Sequence, residues 1–165
     1  VLKSPLGDFT TKAQNFALGK TVTGTFSGAT ANITINALVD GSLKDVYSSG
    51  SIFDKDQDVV IDLGSELSIS SVVVFWHRLS YSKDYALQGS VDGEKWATLA
   101  EHIDASQALE GRSAGSTGGS PMKVVGTKFT PKIIRYLKVL ILKDSAFYHK
   151  HSIWNFVNIF EIKVF

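Results

Sequence analysis

The chain has 165 residues, 44% of them hydrophobic, enough for one domain with its own core. Seventeen Lys and Arg against sixteen Asp and Glu leave no broad basic field to hold a phosphate backbone, which speaks against nucleic acid as a partner. Cysteine is absent, excluding a disulfide framework, a thiolate zinc site and a cysteine nucleophile together.

In chain order, Val1–Gln14 reads as a leader or linker, and residues 15–165 as the domain. No signal-peptide pattern opens the chain, which says little; because Val1 is not an initiator methionine, the piece is expected to be excised from something longer. Asn36–Ser51 packs two acids, four serines and two glycines behind a short apolar entry, a compact turn offering oxygen atoms. Asp58–Leu63 is an apolar run closed by Gly64. Ile69–Arg78 is β-branched and aromatic, as expected of a central strand covered on both faces. Tyr85–Val91 alternates, Asp92-Gly93 supplies a hairpin turn, and Trp96–Ala100 follows. Glu110–Pro121 lacks apolar anchors and reads as a mobile loop. Val124–Phe129 precedes Pro131; Arg135–Leu142 and Asn158–Phe165 complete the strands. The apolar runs are too short to span a bilayer. Short strands at this spacing, with turn residues between them, predict an all-β sandwich.

Several of these segments resemble those of the discoidin, or coagulation factor 5/8 type C (galactose-binding-like), family. Asn15-Phe16-Ala17-Leu18-Gly19-Lys20, Asn36-Ala37-Leu38-Val39-Asp40-Gly41 and Val60-Ile61-Asp62-Leu63-Gly64 match in order. So do the hairpin Ser90–Trp96, then Arg135-Tyr136-Leu137-Lys138-Val139, and the terminal Phe160-Glu161-Ile162-Lys163-Val164. The resemblance implies an eight-stranded jelly-roll β-sandwich with binding loops gathered at one end. Within the family the chain looks closest to bacterial family 32 carbohydrate-binding modules, which are often joined to glycoside hydrolases such as hexosaminidases. That implies a non-catalytic module holding a glycan or polysaccharide of galactose, GalNAc or GlcNAc type. Its setting would be extracellular, periplasmic or on the bacterial cell surface, attached to a larger enzyme or surface protein.

The resemblance also implies a structural calcium ion, Ca2+, holding the turn against the last strand. Asp40 and Glu161 would give carboxylates, Ala37 and Phe160 backbone carbonyls, and Ser42 a neutral oxygen where the family usually has Asp or Asn. Asp45 and Ser51 are alternative further ligands. Hard cations take such oxygen shells, and two carboxylates neutralise a divalent charge. The competing reading is that Asp40-Gly41 is only a turn.

A sugar needs an aromatic face and hydroxyl partners. Arg78 sits where the family often carries a sugar-binding arginine, with Tyr81, Lys83 and Tyr85 after it and Phe53 and Asp54 as rim residues. The aromatic cluster Phe147–Phe156 offers Tyr148 and Trp154 for stacking and His149 and Asn155 as donors; the competing reading makes Trp154 and Phe156 plugs of the sandwich end. Trp96 is read as a core residue, Trp76 and His77 as alternating across a strand, and Arg135 as pairing with an acid. Phe53, Phe147, Tyr148 and Lys150 would serve a protein- or membrane-adhesion domain, the runner-up, though the balanced charge speaks against anionic membranes. No Gly-x-Ser-x-Gly elbow or metalloprotease helix points to an enzyme.

Overall fold

A computed structural model describes residues 13–26, 33–49, 55–105, 109–112, 121–143, 145–148 and 156–165. The described residues form ten strands and one short 3-10 turn, Ile35–Val39. The strands are β1 (Thr21–Gly24), β2 (Tyr47–Ser48), β3 (Gln57–His77), β4 (Ser80–Ser82) and β5 (Asp84–Ser90). They continue with β6 (Ala97–Asp104), β7 (Leu109–Arg112), β8 (Pro121–Ile141), β9 (Ala146–Tyr148) and β10 (Asn158–Val164). No helix among them is long and apolar enough to cross a membrane.

The architecture is the expected jelly-roll sandwich, and two strands create both of its layers. β3 and β8, 21 residues each, pair antiparallel from Gln57↔Ile141 to His77↔Met122. Their register breaks between Asp62 and Leu67 and again between Ile69 and Ser71. Such breaks bend a strand and let it pass from one layer to the other. Before the bend, β1 adds to β3, and β5 then β6 add to β8. Beyond it, β10 and then β2 add to β3, and β7 adds to β8.

Sequence patterning anticipates separate strands at Asp58–Leu63 and Ile69–Arg78, and at Val124–Phe129 and Arg135–Leu142. Each pair is instead one continuous strand. Gly64, at φ +84°, and Pro131 punctuate the sequence but sit at the bend, where bulged backbone accepts both. Glu110–Pro121 also departs from the expected loop: Leu109–Arg112 pairs with Pro121–Val124, because ladder bonds to a neighbouring strand need no apolar side chains. Residues 113–120, and residues 1–12 of the expected leader, lie outside the described residues.

The core lies between the layers. Val59, Ile61, Val72, Val74, Trp76, Leu137, Val139 and Ile162 all join one buried cluster. The intervening Val73 and Phe75 join Met122 and Phe160 in a second cluster, partly covered by Leu43 and Val46. Ile69–His77 is therefore covered on both faces, as its unbroken apolar run implies. In β10, a register shift between Ile159 and Glu161 lets Ile159 and Ile162, three apart, both enter the main core. Trp96 does not take the expected core place. It is partly buried on the outer face, with the Lys138 ammonium 3.9 Å from its ring centroid, because it closes the hairpin turn before β6 begins. Arg135 pairs with an acid as expected, gripping both Asp62 oxygens at 2.9 Å.

Ile162→Ala should cost about 2–5 kcal/mol in urea unfolding, as buried large-to-small changes do, whereas exposed Ile133→Ala should stay within about 0.5 kcal/mol. Asp62 is held below its ordinary pKa of 3.8, first by its hydrogen bonds from Arg135. Its contribution is therefore complete above that value and fades as acid protonates it. Asp62→Asn should show a small stability deficit at neutral pH that closes on acidification below 3.8.

Candidate functional site

Buried serines organise one end of the sandwich. Ser48, Ser49, Ser80, Ser82 and Ser145 are all buried, and their hydroxyls bind the loop ends together. The Ser80 hydroxyl donates to the Phe156 carbonyl (2.7 Å). Ser82 and Ser145 share a hydroxyl–hydroxyl bond (2.6 Å), while the Lys83 N–H donates to the Ser145 carbonyl (2.7 Å). The Ser49 N–H donates to the Val157 carbonyl (2.9 Å), and the Val157 N–H donates back to the Ser49 hydroxyl (3.0 Å). A short hydroxyl satisfies buried backbone groups without demanding space, so these serines can close a sandwich end that apolar residues would leave unpaired.

This frame brings distant sequence candidates together. The β4–β9 pairing sets Ser80 opposite Tyr148 and Tyr81 opposite Phe147. The chain enters residues 50–54 from Ser49 and leaves residues 149–155 through Phe156 and Val157, so both segments attach at the Ser49–Val157 pairing. Phe53, Asp54, His149, Trp154, Asn155 and Ser51 belong to those segments and lie outside the described residues. Arg78 is exposed at the turn between β3 and β4, with Leu79 beside it; Lys83 is also exposed.

Tyr81 is not the open sugar platform that its position suggests. It is 5% exposed in the main core cluster, and the Lys123 ammonium lies 4.7 Å from its ring centroid. The reason is its place on β4, whose three residues are all buried between β3 and β9. Tyr85 is likewise fully buried, edge-on to Trp76 with centroids 5.2 Å apart. His77 is a residue whose role the alternation left open. Its ring stacks on Phe160, and its Nδ1 accepts the Leu79 N–H (3.2 Å). Burial first, and then the charge of Arg78, hold its pKa below the ordinary value, so the imidazole is neutral and fixes the Arg78 turn.

The oxygen-rich turn docks on the other side of β10. Leu38 and Val39 of the 3-10 turn are fully buried and anchor it. Gly41 follows at φ +80°, a conformation that favours glycine, and its N–H donates to Glu161 Oε1 (3.1 Å). Glu161 is fully buried, and its Oε2 has no hydrogen-bond partner. Burial pushes its pKa up to about 8, and the charge of Asp40 adds to this; the Gly41 N–H and Lys163 act the other way. A buried carboxylate with an orphaned oxygen beside a second carboxylate is the environment that a divalent cation would relieve. The donor set therefore fits a hard cation. Ala37 lies in the 3-10 turn, and the Phe160 carbonyl belongs to β10. The Ser42 hydroxyl accepts the Lys44 N–H (3.2 Å), and Asp40 Oδ1 accepts the Ser42 N–H (2.7 Å). Asp45 is exposed. Among the described residues, no group of three or more acids and histidines forms.

Two asparagines that the motif reading treated only as family markers tie the ends of the chain to the fold. Asn36 Oδ1 accepts the Val22 N–H (2.9 Å), and Asn15 Oδ1 accepts the Val164 N–H (3.0 Å). Their presence in turn-like segments is the only sequence signal of these roles.

A model of the F5/8 type C domain matches residues 20–162. Among solved structures, chitosan-binding module 1 of a chitosanase/glucanase from Paenibacillus sp. IK-5 superposes with TM-score 0.69 at 21% identity, covering 93% of this chain and 99% of that one. Module 2 of the same enzyme, in complex with chitotriose, gives TM-score 0.68 at 21% identity, over 92% and 99%. The Clostridium perfringens module CpGH89CBM32-5, in complex with GalNAc-β-1,3-galactose, gives 0.61 at 15% identity, over 89% and 95%. These likenesses establish the fold. No curated protein matches the chain significantly.

At Gly41, an added Cβ would meet Leu18 Cδ1 at 2.9 Å in a backbone conformation that side chains rarely adopt. Gly41→Ala should therefore cost about 1–3 kcal/mol of unfolding free energy, measured by denaturant titration.

Proposed function

The chain belongs to the F5/8 type C domain family, and from that premise we propose that it is a non-catalytic glycan-binding module with its sugar site at the serine-framed end. The observation that carries this reading is the convergence there of the Arg78 turn, β9 and the Ser49–Val157 pairing. Loops on a rigid scaffold are where recognition residues gather. In this reading Arg78 supplies donors for sugar hydroxyls, with Lys83 beside it, Tyr148 and Trp154 would supply the stacking faces, His149 and Asn155 further donors, and Phe53 and Asp54 would be rim residues. Tyr81 is withdrawn from the contact set and instead supports the turn from below. The relative that holds GalNAc-β-1,3-galactose supports ligands of GalNAc or galactose type, and the chitosan-binding module that holds chitotriose supports an amino-sugar oligosaccharide. A stack covering on the order of 100 Å² of apolar surface contributes about 2.5 kcal/mol, so a single site is weak. Such a site is useful when it tethers an attached enzyme or surface protein to a polymer outside the cell.

The proposal includes a structural Ca2+ held by the Asp40 and Glu161 carboxylates. The carbonyls of Ala37 and Phe160, an oxygen of Ser42, and either Asp45 or Ser51 complete its shell. The ion would supply positive charge to a buried acid and tie the turn to the last strand, coupling affinity to folding.

Glycan-array and affinity-electrophoresis measurements test the sugar site. Trp154→Ala should abolish retention with the melting temperature nearly unchanged; a collapse of stability would make Trp154 a plug of the sandwich end instead. Arg78→Ala should weaken binding about ten-fold or more, the loss expected for a hydrogen bond from a charged group. Liposome co-sedimentation without glycan retention would favour the adhesion reading. Calcium should raise the wild-type melting temperature and a chelator lower it, while Glu161→Gln should be indifferent to both. A wild type equally indifferent would remove the ion.

A further inference from the structure

A second surface, on the outer face of the sheet, carries ring and hydroxyl-binding groups and shares no residue with the serine-framed end. On β1, β3 and β8 the residues between the core positions point outward, because Val59, Ile61, Leu137 and Val139 point in. Cross-strand register then builds two rows: Thr21, Asp62 and Tyr136 in one, Thr23, Val60 and Lys138 in the next. At the end of these rows stand Asp92, Gly93 and the partly buried Trp96. Together they line a concavity of about 490 Å³ on the outer face of the sheet. Three strands at about 4.8 Å spacing give it a span of about 10 Å.

The lining has the chemistry of a saccharide platform. Trp96 is partly buried and lines the concavity, so its ring is at the surface rather than in the core. Each ring already carries a cation on one face, the Lys138 ammonium over Trp96 at 3.9 Å and the Arg135 guanidinium over Tyr136 at 5.0 Å, and an added Cβ at Gly93 would meet the Tyr136 ring at 3.5 Å. The side chains around the rings are fixed. Asp92 Oδ1 accepts the Glu94 and Lys95 N–H groups (2.9 and 2.8 Å), and Asp58 Oδ1 accepts the Thr25 N–H (3.0 Å). Asp62 is neutralised by Arg135. Asp58 and Asp92 therefore stand against Lys138, two acceptors of negative charge and one cationic donor, with threonine hydroxyls able to do either.

We propose that this face is a second glycan-binding site, taking an uncharged polysaccharide chain laid across β1, β3 and β8, with Trp96 and Tyr136 as its stacking rings. Charge balance selects the occupant. A polyanion would meet Asp58 and Asp92, a polycation would meet the ammonium already over Trp96, and sugar hydroxyls satisfy both signs. The inference rests on the reading of the protein as a glycan binder, but it uses none of the residues of the serine-framed end.

The test is isothermal titration with fully N-acetylated chitohexaose, with its deacetylated cationic form and with an oligogalacturonate as charged controls. The wild type should bind the uncharged chain at two sites. Trp96→Ala should remove one of them and leave the other at wild-type affinity; Lys138→Met, which keeps the stem but not the donor, should weaken the same site. Trp154→Ala should remove the opposite one. If Trp96→Ala and Lys138→Met both bind like the wild type while Trp154→Ala loses all binding, the face is not a site and the loop-end reading stands. Binding lost in Trp96→Ala but not in Trp154→Ala would leave the face as the site and overturn the loop-end assignment. Charged chains that bind the face as well as the uncharged one overturn the choice of occupant. A wild type that binds none of the three chains overturns the outer face as a site for such a chain, while the loop-end site stands or falls on the glycan array.

Discussion

The pairing of β3 with β8 is the constraint on which the molecule depends. Two strands of 21 residues, far apart in sequence, run antiparallel over their whole length and bend together where the register breaks. Closing so long a loop has an entropic cost that only the completed ladder and the core between its two halves offset. Every other strand then has a defined edge to join. β1, β5 and β6 extend one half; β2, β7 and β10 extend the other. A slip of one residue along this ladder would turn Val59, Ile61, Leu137 and Val139 out of the core, so burial fixes the register as firmly as the hydrogen bonds do.

Polar groups inside this frame mark where it is specialised. The serine belt closes the end with Arg78, using hydroxyls too small to disturb packing. Glu161 is a different case. A fully buried carboxylate with one oxygen bonded to Gly41 and the other unpaired stabilises nothing by itself, because desolvation disfavours its charge. Its position on the bulged β10, against a turn that carries a second acid, is what the proposed Ca2+ would turn into a joint. The same bulge keeps Ile159 and Ile162 in the core, so one irregularity serves both packing and the joint.

The two proposed sugar surfaces differ in physical character. The serine-framed end offers loops, whose side chains can be exchanged without altering the sheets. The outer sheet face offers a fixed grid set by strand spacing and register, suited to a repeating chain. Weak contacts at both surfaces would act together on a single polymer, where the second contact is made at high local concentration.

Much of this was legible from residues alone. Alternation, β-branched runs and the Asp92-Gly93 turn announce an antiparallel all-β domain, because side-chain period and turn chemistry are local properties. Asp40 and Glu161, 121 positions apart, are named by their family motifs, and Arg135 is marked as an ion-pair partner. Other features depend on which strands become neighbours. Patterning could not say that Gly64 and Pro131 lie at bends within continuous strands, nor that Leu109–Arg112 finds a partner in Pro121–Val124. Tyr81 and Trp96 are the plainest exchange: the aromatic expected at the surface is buried under Lys123, and the one expected in the core lines an open face beside Lys138. Sequence determined the fold class and the acids of the turn through short-range periodicity and motif. The tertiary structure alone decided which rings face solvent, because exposure depends on the strands packed beside a residue and not on its neighbours in the chain.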